Sequence, residues 1–341
     1  MAPIEILKFP ISSPGDISPL KKLQDAGYDP SNILAVVGKT EGNGCVNDFS
    51  RTLASAVWEP RIPSDAVTIF SGGTEGVLSP HVTFFLRSPG DKETGLSAAV
   101  GHTRRFEPHE IGTDEQAQQV ATTTSSLIEQ MGVTPDQVHM VLIKCPLLTS
   151  EKLETIRALG RVPVTTDTYE SMARSRYASA VGIAAAVGEI QHTRIPEAVS
   201  KAGTWSAKAS CSSGAELEDC HILVLASTSA QGSRLHAVSR PMADAMDAAS
   251  ILALMELAKK DGGKIVQVFA KAEADPSGHV REWRHTMNTD SDIHSTRHAR
   301  AAVGGLIAGL VSDAEIYVSG GAEGQGPSGG GSLCLVYETS I

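Results

Sequence analysis

The feature that most constrains this chain is a motif set that occurs three times. An apolar run of β type, Ile33 to Val37, ends in Gly38-Lys39-Thr40-Glu41, and a helical-looking stretch carrying Ser50-Arg51 follows. A second run, Val67 to Phe70, then ends in Ser71-Gly72-Gly73-Thr74-Glu75. The set returns as Val138 to Ile143 ending in Lys144, a helix predicted over about 169–187 with Ser175-Arg176, and Ser212-Ser213-Gly214-Ala215-Glu216. It returns again as Ile265 to Ala270 ending in Lys271-Ala272-Glu273, a helix predicted over about 293–311 that starts among Arg297 and Arg300, and Ser319-Gly320-Gly321-Ala322-Glu323. After each serine comes another apolar run: Val82 to Leu86, Ile222 to Leu225 and Leu333 to Val336. Lysine and serine stand 32, 68 and 48 residues apart, too uneven for a solenoid, whose period is fixed.

Strands interleaved with helices mark an α/β fold. Three similar strand-helix-strand repeats in one chain are expected to pack about a pseudo-threefold axis, each burying its apolar face on its neighbours. One central site follows. Polar and Gly/Ser-rich stretches near 103–110 and 230–238 divide the chain into units 1–103, 109–230 and 236–341.

Each unit offers a lysine at a strand end, an arginine on a helix and a serine before small residues, a combination suited to attack on a carbonyl. A serine hydroxyl needs a base, and a lysine desolvated among positive neighbours can lose its proton. Arginine supplies a planar fork of donors that never loses its charge. Small residues beside the serine free backbone N–H groups for a developing oxyanion. Three such sets on one axis fit a ligand of near-threefold symmetry that alternates carbonyl with N–H, as a triazinetrione ring does.

One dyad need be reactive. Lys39 and Lys271 each have a glutamate two residues on, Glu41 and Glu273, on the same face if the strand continues. Lys144 is followed by Cys145-Pro146-Leu147 and lacks that carboxylate, so it is expected to be the neutral base, with Ser212 as nucleophile. The other dyads would grip the ring. In the third unit Arg297 and Arg300 lie 22 and 19 residues before Ser319, against 20 from Arg51 to Ser71. Both are kept as candidates, Arg300 slightly preferred.

Composition narrows the partners. Lys plus Arg number 29 against 39 Asp plus Glu, a formal charge of −10, so no overall basic field exists for nucleic acid or an anionic membrane. No apolar run approaches the ~18 residues of a bilayer span, and the first residues lack a signal peptide's basic and apolar regions. Five scattered cysteines without a CxxC suit a reducing compartment, and the chain is expected to be cytoplasmic. Val37-Gly38-Lys39-Thr40 imitates a phosphate-binding loop, but Ile33 stands where that motif needs its first glycine. His294 and His298 have the spacing of a metal pair but no obvious third ligand. The glycine-rich stretch 320–331 could fold its carbonyls around a hard cation together with Glu273.

Gly38 to Asp48, Ser71 to His81, Lys144 to Leu148, Thr165 to Met172 and Ser319 to Glu323 together resemble the cyanuric acid hydrolase and barbiturase family of ring-opening amidohydrolases, from end to end. The resemblance implies hydrolysis of a cyclic amide or ureide bond in a cytoplasmic homotetramer, with Lys144 as base and Ser212 as nucleophile. The reaction would turn cyanuric acid into carboxybiuret, which loses carbon dioxide to give biuret. A barbiturase giving ureidomalonate, or a silent binder of cyclic ureides, are the alternatives. Substrate contacts carried over fall on Arg51, Ser71, Gly72, Arg176, Ser212, Ser213, Ser319, Gly320 and the third-unit arginine, with Lys39 and Lys271 close by. No cofactor is implied for catalysis, but a structural magnesium or calcium is, on Glu273, Ala322, Gln325, Gly326, Pro327 and Gly330. Ser213 departs from the glycine of the other two units.

Overall fold

The computed structural model describes residues 3–89, 93–228 and 233–340. Its frame is three four-stranded sheets of identical order. The first holds β1 (Ile4–Pro10), β2 (Ile33–Thr40), β3 (Val67–Gly72) and β4 (His81–Arg87), ordered β1-β4-β2-β3. The second holds β5 (Leu96–His102), β6 (Val138–Pro146), β7 (Ala209–Gly214) and β8 (His221–Ser227), ordered β5-β8-β6-β7. The third holds β9 (Leu235–Ser239) and β10 (Lys264–Ala272). A short hairpin, β11 (His279–Val280) and β12 (Trp283–Arg284), precedes its last two strands, β13 (Tyr317–Gly320) and β14 (Leu333–Glu338). Its order is β13-β10-β14-β9. In every sheet the lysine strand pairs in parallel with the serine strand and antiparallel with the strand that follows.

Parallel neighbours need a crossover. It is supplied by α2 (Phe49–Trp58) in the first unit, α5 (Thr168–Ala186) in the second and α8 (Ser295–Val311) in the third, and these helices carry the three arginines. Each starts at a residue whose side chain accepts a backbone N–H: Asp48, Asp167 and His294. A second helix joins the first two strands of each unit: α1 (Ser18–Asp25), α3 (Asp114–Met131) and α7 (Ala248–Lys260). The second unit adds α4 (Ser150–Ala158) and α6 (Ile195–Ser200).

The unit is therefore larger than the expected strand-helix-strand-strand, because each begins one strand and one helix earlier. This moves a boundary. β5 falls inside 1–103, yet it pairs along its length with β8 and belongs to the second sheet. The other boundary, at 230–238, falls partly on 229–232, outside the described residues.

The three sheets turn their inner faces toward one another. A single apolar cluster takes Val37, Ile69 and Phe85 from the first sheet, Leu142, Leu223 and Leu225 from the second, and Phe269, Tyr317 and Val336 from the third. The outer faces are covered separately by helices: Trp58 of α2 against Phe70 and Phe84, α3 and α5 against Ile143 and Val224, and α7 and α8 against Val268 and Leu335. The lysine strands of the first two sheets are buried on both sides and read as nearly continuous apolar runs.

Candidate active site

Register creates the site. Lys39 lies opposite Ser71, Lys144 opposite Ser212 and Lys271 opposite Ser319, each pair in a parallel ladder whose serine strand is the outermost of its sheet. Facing residues project to the same side. The three serine strands meet at the sheet ends, where Ser71 Oγ and Ser319 Oγ are 3.2 Å apart.

One narrow recess is lined by Arg51, Ser71, Gly72, Arg176, Ser212, Ser213, Arg300, Ser319 and Gly320, together with Gly44 and Met172. Arg297 is not among them. Arg300 is 3% exposed and reaches Glu75 and the Asn43 carbonyl, whereas Arg297, three residues earlier on the same helix, is half-buried and does not line the recess. Lys39 and Lys271 do not line the recess either. They lie fully buried behind the serines, Lys39 Nζ donating to Ser71 Oγ at 3.2 Å and Lys271 Nζ to Ser319 Oγ at 3.0 Å. Lys144 is equally deep, but its Nζ donates to the Phe70 carbonyl at 2.5 Å, and Ser212 Oγ donates to the Ile143 carbonyl at 3.4 Å. Two dyads are closed by a hydrogen bond and the middle one is open.

Gly72 is required by close approach, since a Cβ there would sit 1.6 Å from Asp48 Oδ2. Gly321 adopts φ 74°, and a side chain would also meet the Arg176 guanidinium at 2.5 Å.

Behind the lining stands a set of residues that the sequence reading left out. Arg176 of the second unit makes a two-pronged pair with Glu323 of the third, at 2.8 and 2.7 Å, and Arg300 of the third does the same with Glu75 of the first, at 2.8 and 2.5 Å. Arginine and glutamate thus join the second unit to the third and the third to the first. The third link would be Arg51 with Glu216, and it is not made. Arg51 instead donates to the Ser213 carbonyl at 3.0 Å and the Cys45 carbonyl at 2.7 Å, leaving its Nε without a partner among the described residues. Glu216 Oε1 lies 3.5 Å from Lys144 Nζ, and neither of its oxygens accepts a well-aligned hydrogen bond from the described residues. Glu75, Glu216 and Glu323 each follow their serine by four residues, a regularity present in the repeated motif itself.

The expectation that Lys144 alone lacks a carboxylate does not hold. The carboxylates that act on Lys39 and Lys271 are Glu75 and Glu323, not Glu41 and Glu273, and Glu216 reaches Lys144 from the turn after β7. Burial pulls all three lysines down. Lys39 falls well below its ordinary value, helped by Arg300, and Lys271 falls to about 7, helped by Arg176. Lys144 falls to about 8, with Glu216 opposing the fall.

Of the residues singled out for a cation, Glu273, Ala322 and Gly326 line a separate cavity of about 240 Å³, while Gln325, Pro327 and Gly330 do not. The Gln325 side chain crosses to β7, accepting from Cys211 N, and its main-chain oxygen accepts from Ser332 N at 2.7 Å. Glu273 accepts from Gly329 N at 3.0 Å, and burial pushes its carboxyl up to about 7. A half-buried carboxylate with one donor, beside a loop rich in main-chain carbonyls, fits a hard cation. A larger cavity, about 680 Å³ between α7 and the end of α8, is lined by none of the motif lysines, arginines or serines. Among the described residues no helix is long and apolar enough to cross a membrane.

Residues 5–338 match the family model described as amidohydrolase ring-opening protein. The chain belongs to the ring-opening amidohydrolases. This amidohydrolase is 52% identical over 342 residues to a cyanuric acid amidohydrolase of Rhodococcus sp., covering 99% of this chain and 96% of that one. It is 53% identical to another from Pseudonocardia dioxanivorans, covering 100% of both. A solved cyanuric acid hydrolase from A. caulinodans superposes with a TM-score of 0.93 at 39% identity, covering 100% of both chains. Another, described as an evolutionary innovation by structural concatenation, gives 0.92 at 42% identity, covering 99% of this chain and 100% of that one. That description agrees with three sheets of one order in one polypeptide.

Proposed function

We propose that this ring-opening amidohydrolase acts on cyanuric acid. The observation that carries the reading is the threefold one: three serines, each in register with a buried lysine, around one recess with three arginines. A ring of three alternating carbonyl and N–H groups presents the same face to each unit. The relatives that span the whole chain bear the same substrate in their names.

In this mechanism Ser212 Oγ attacks a ring carbonyl carbon while Lys144 Nζ takes its proton. The tetrahedral intermediate collapses with breakage of the ring C–N bond, and the Lys144 ammonium returns the proton to the departing nitrogen. Water, deprotonated by Lys144, then releases the acyl group from Ser212 as carboxybiuret, which loses carbon dioxide to give biuret. The broken symmetry supports assigning these roles to the middle unit. A base must hold the proton it takes, and Glu216 stabilises the Lys144 ammonium, whereas Glu75 and Glu323 are committed to arginines. Lys39 and Lys271 serve their serines as hydrogen-bond donors to the substrate frame. A structural magnesium or calcium on Glu273 and the glycine-rich loop, a homotetrameric assembly and a cytoplasmic location complete the reading, all from the family resemblance.

The test is to incubate the protein separately with cyanuric and barbituric acids, following ring loss in the ultraviolet and carbon dioxide release. Cyanuric acid turnover is expected. Turnover of barbituric acid alone overturns the substrate while leaving the family intact.

A further inference from the structure

Away from the recess, at the edge of the seam between the first and second units, His102 and His221 face each other across the antiparallel pair β5–β8. Asp219, two residues before His221, stands between them. Its Oδ2 is 3.2 Å from His102 Nδ1 and its Oδ1 is 3.5 Å from His221 Nε2. One ligand atom from each residue lies within 4.8 Å of the other two. None of these residues takes part in the mechanism above.

The hydrogen positions on His221 decide what this cluster needs. Its Nδ1 lies 2.9 Å from the Thr68 carbonyl of β3, an acceptor, so Nδ1 carries the hydrogen. In the neutral ring Nε2 is then a lone pair pointing at a carboxylate, and two acceptors face one another. A cation held between them satisfies both acceptors at once. A carbonyl fixing the far nitrogen of a histidine is the usual support of a metal-binding ring.

We propose that His102, Asp219 and His221 form a binding site for a divalent transition-metal ion of the zinc class. Two imidazoles and a carboxylate are the ligand types such an ion selects. The 3.2 and 3.5 Å separations match the ~3.3 Å between ligand atoms that tetrahedral coordination at ~2.0 Å implies. Entry is open, because the His102 side chain is partly exposed and Asp219 and His221 line a surface recess with Glu218 and Arg105. The first unit supplies a contrast. His81, which faces Lys39 as His221 faces Lys144, meets Ser79 O and Gln267 and makes no ion pair with a carboxylate among the described residues. Occupancy has a mechanical consequence, since Thr68 and Phe70 of β3 are held by His221 and Lys144 respectively. A metal on His221 tightens the attachment of the strand that bears Ser71.

Chelator-treated enzyme should take up one zinc equivalent per chain in calorimetry, with a rise in Tm. Cobalt(II) should give the intense visible bands of a tetrahedral site. His102→Ala, at a partly exposed strand end, and Asp219→Asn should each weaken zinc at least tenfold and abolish the cobalt spectrum. Glu273→Gln, in the glycine-rich loop, should keep both. Failure of the treated enzyme to bind zinc, or unchanged affinity and spectrum in folded His102→Ala protein, overturns the site.

Discussion

Glu216 Oε1 lies 3.5 Å from Lys144 Nζ, whereas the matching carboxylates of the other units, Glu75 and Glu323, lie on Arg300 and Arg176. That difference makes the middle lysine tunable. Glu216 raises Lys144 against a burial that lowers it to about 8, so removing the carboxylate must lower it further. The base works when neutral, so the acidic limb of the kcat/KM profile should rise toward about 8 in the native enzyme and move down by about one unit in Glu216→Gln. An unmoved limb would show that Lys144 is not the titrating base.

The Ser212 and Lys144 pair should act as a unit. Ser212→Ala, Lys144→Ala and the double variant are each expected to lose about 10⁴-fold or more in kcat, without additivity. Ser71→Ala and Ser319→Ala should raise KM as well as lowering turnover. An acyl adduct found by mass spectrometry on Ser71 or Ser319, with Ser212→Ala still active, would displace the assignment.

Arg300 and Arg297 should separate cleanly. Arg300 lines the recess and is braced by Glu75, and Arg297 does neither. Arg300→Lys loses the planar fork and should raise KM about 100-fold, while Arg297→Lys should stay within about threefold of the native enzyme. Glu75→Gln should give both a raised KM and a stability loss of about 3 kcal/mol in denaturant unfolding, because it leaves Arg300 buried without its partner.

Magnesium or calcium added to chelator-treated protein should raise Tm, and the increment should vanish in Glu273→Gln, whose side chain can no longer neutralise a cation. An equal increment in the variant would remove Glu273 from the ligand set.

Much of this site is legible in the sequence because repetition filters chance. A lysine closing one strand means little, but Lys39, Lys144 and Lys271, each followed by a serine before small residues, are placed by the fold into one register. The α2, α5 and α8 arginines were visible for the same reason. What escaped was of two kinds. The leading strands β1, β5 and β9 carry no motif and intersperse polar residues such as Lys8, Ser97 and His236, so nothing marked them as members of their sheets. The partners of the arginines escaped because they lie in other units: Arg176 and Glu323 are 147 residues apart and Arg300 and Glu75 are 225. Side-chain direction along a strand also misled, since it put Glu41 and Glu273 beside lysines that are in fact opposed by Glu75 and Glu323.

The shared inner core sets a limit on how far the three units can diverge. Phe85, Leu142 and Phe269 come from different sheets but fill one space, with no helix between them to absorb a change in volume. A methylene gained in one unit must be answered by one lost in another, since interiors at this density tolerate neither voids nor crowding. Insertions can accumulate freely on the outside, as α4 and α6 of the second unit show. The three copies are thus free to drift apart in length and bound to change in concert where they touch.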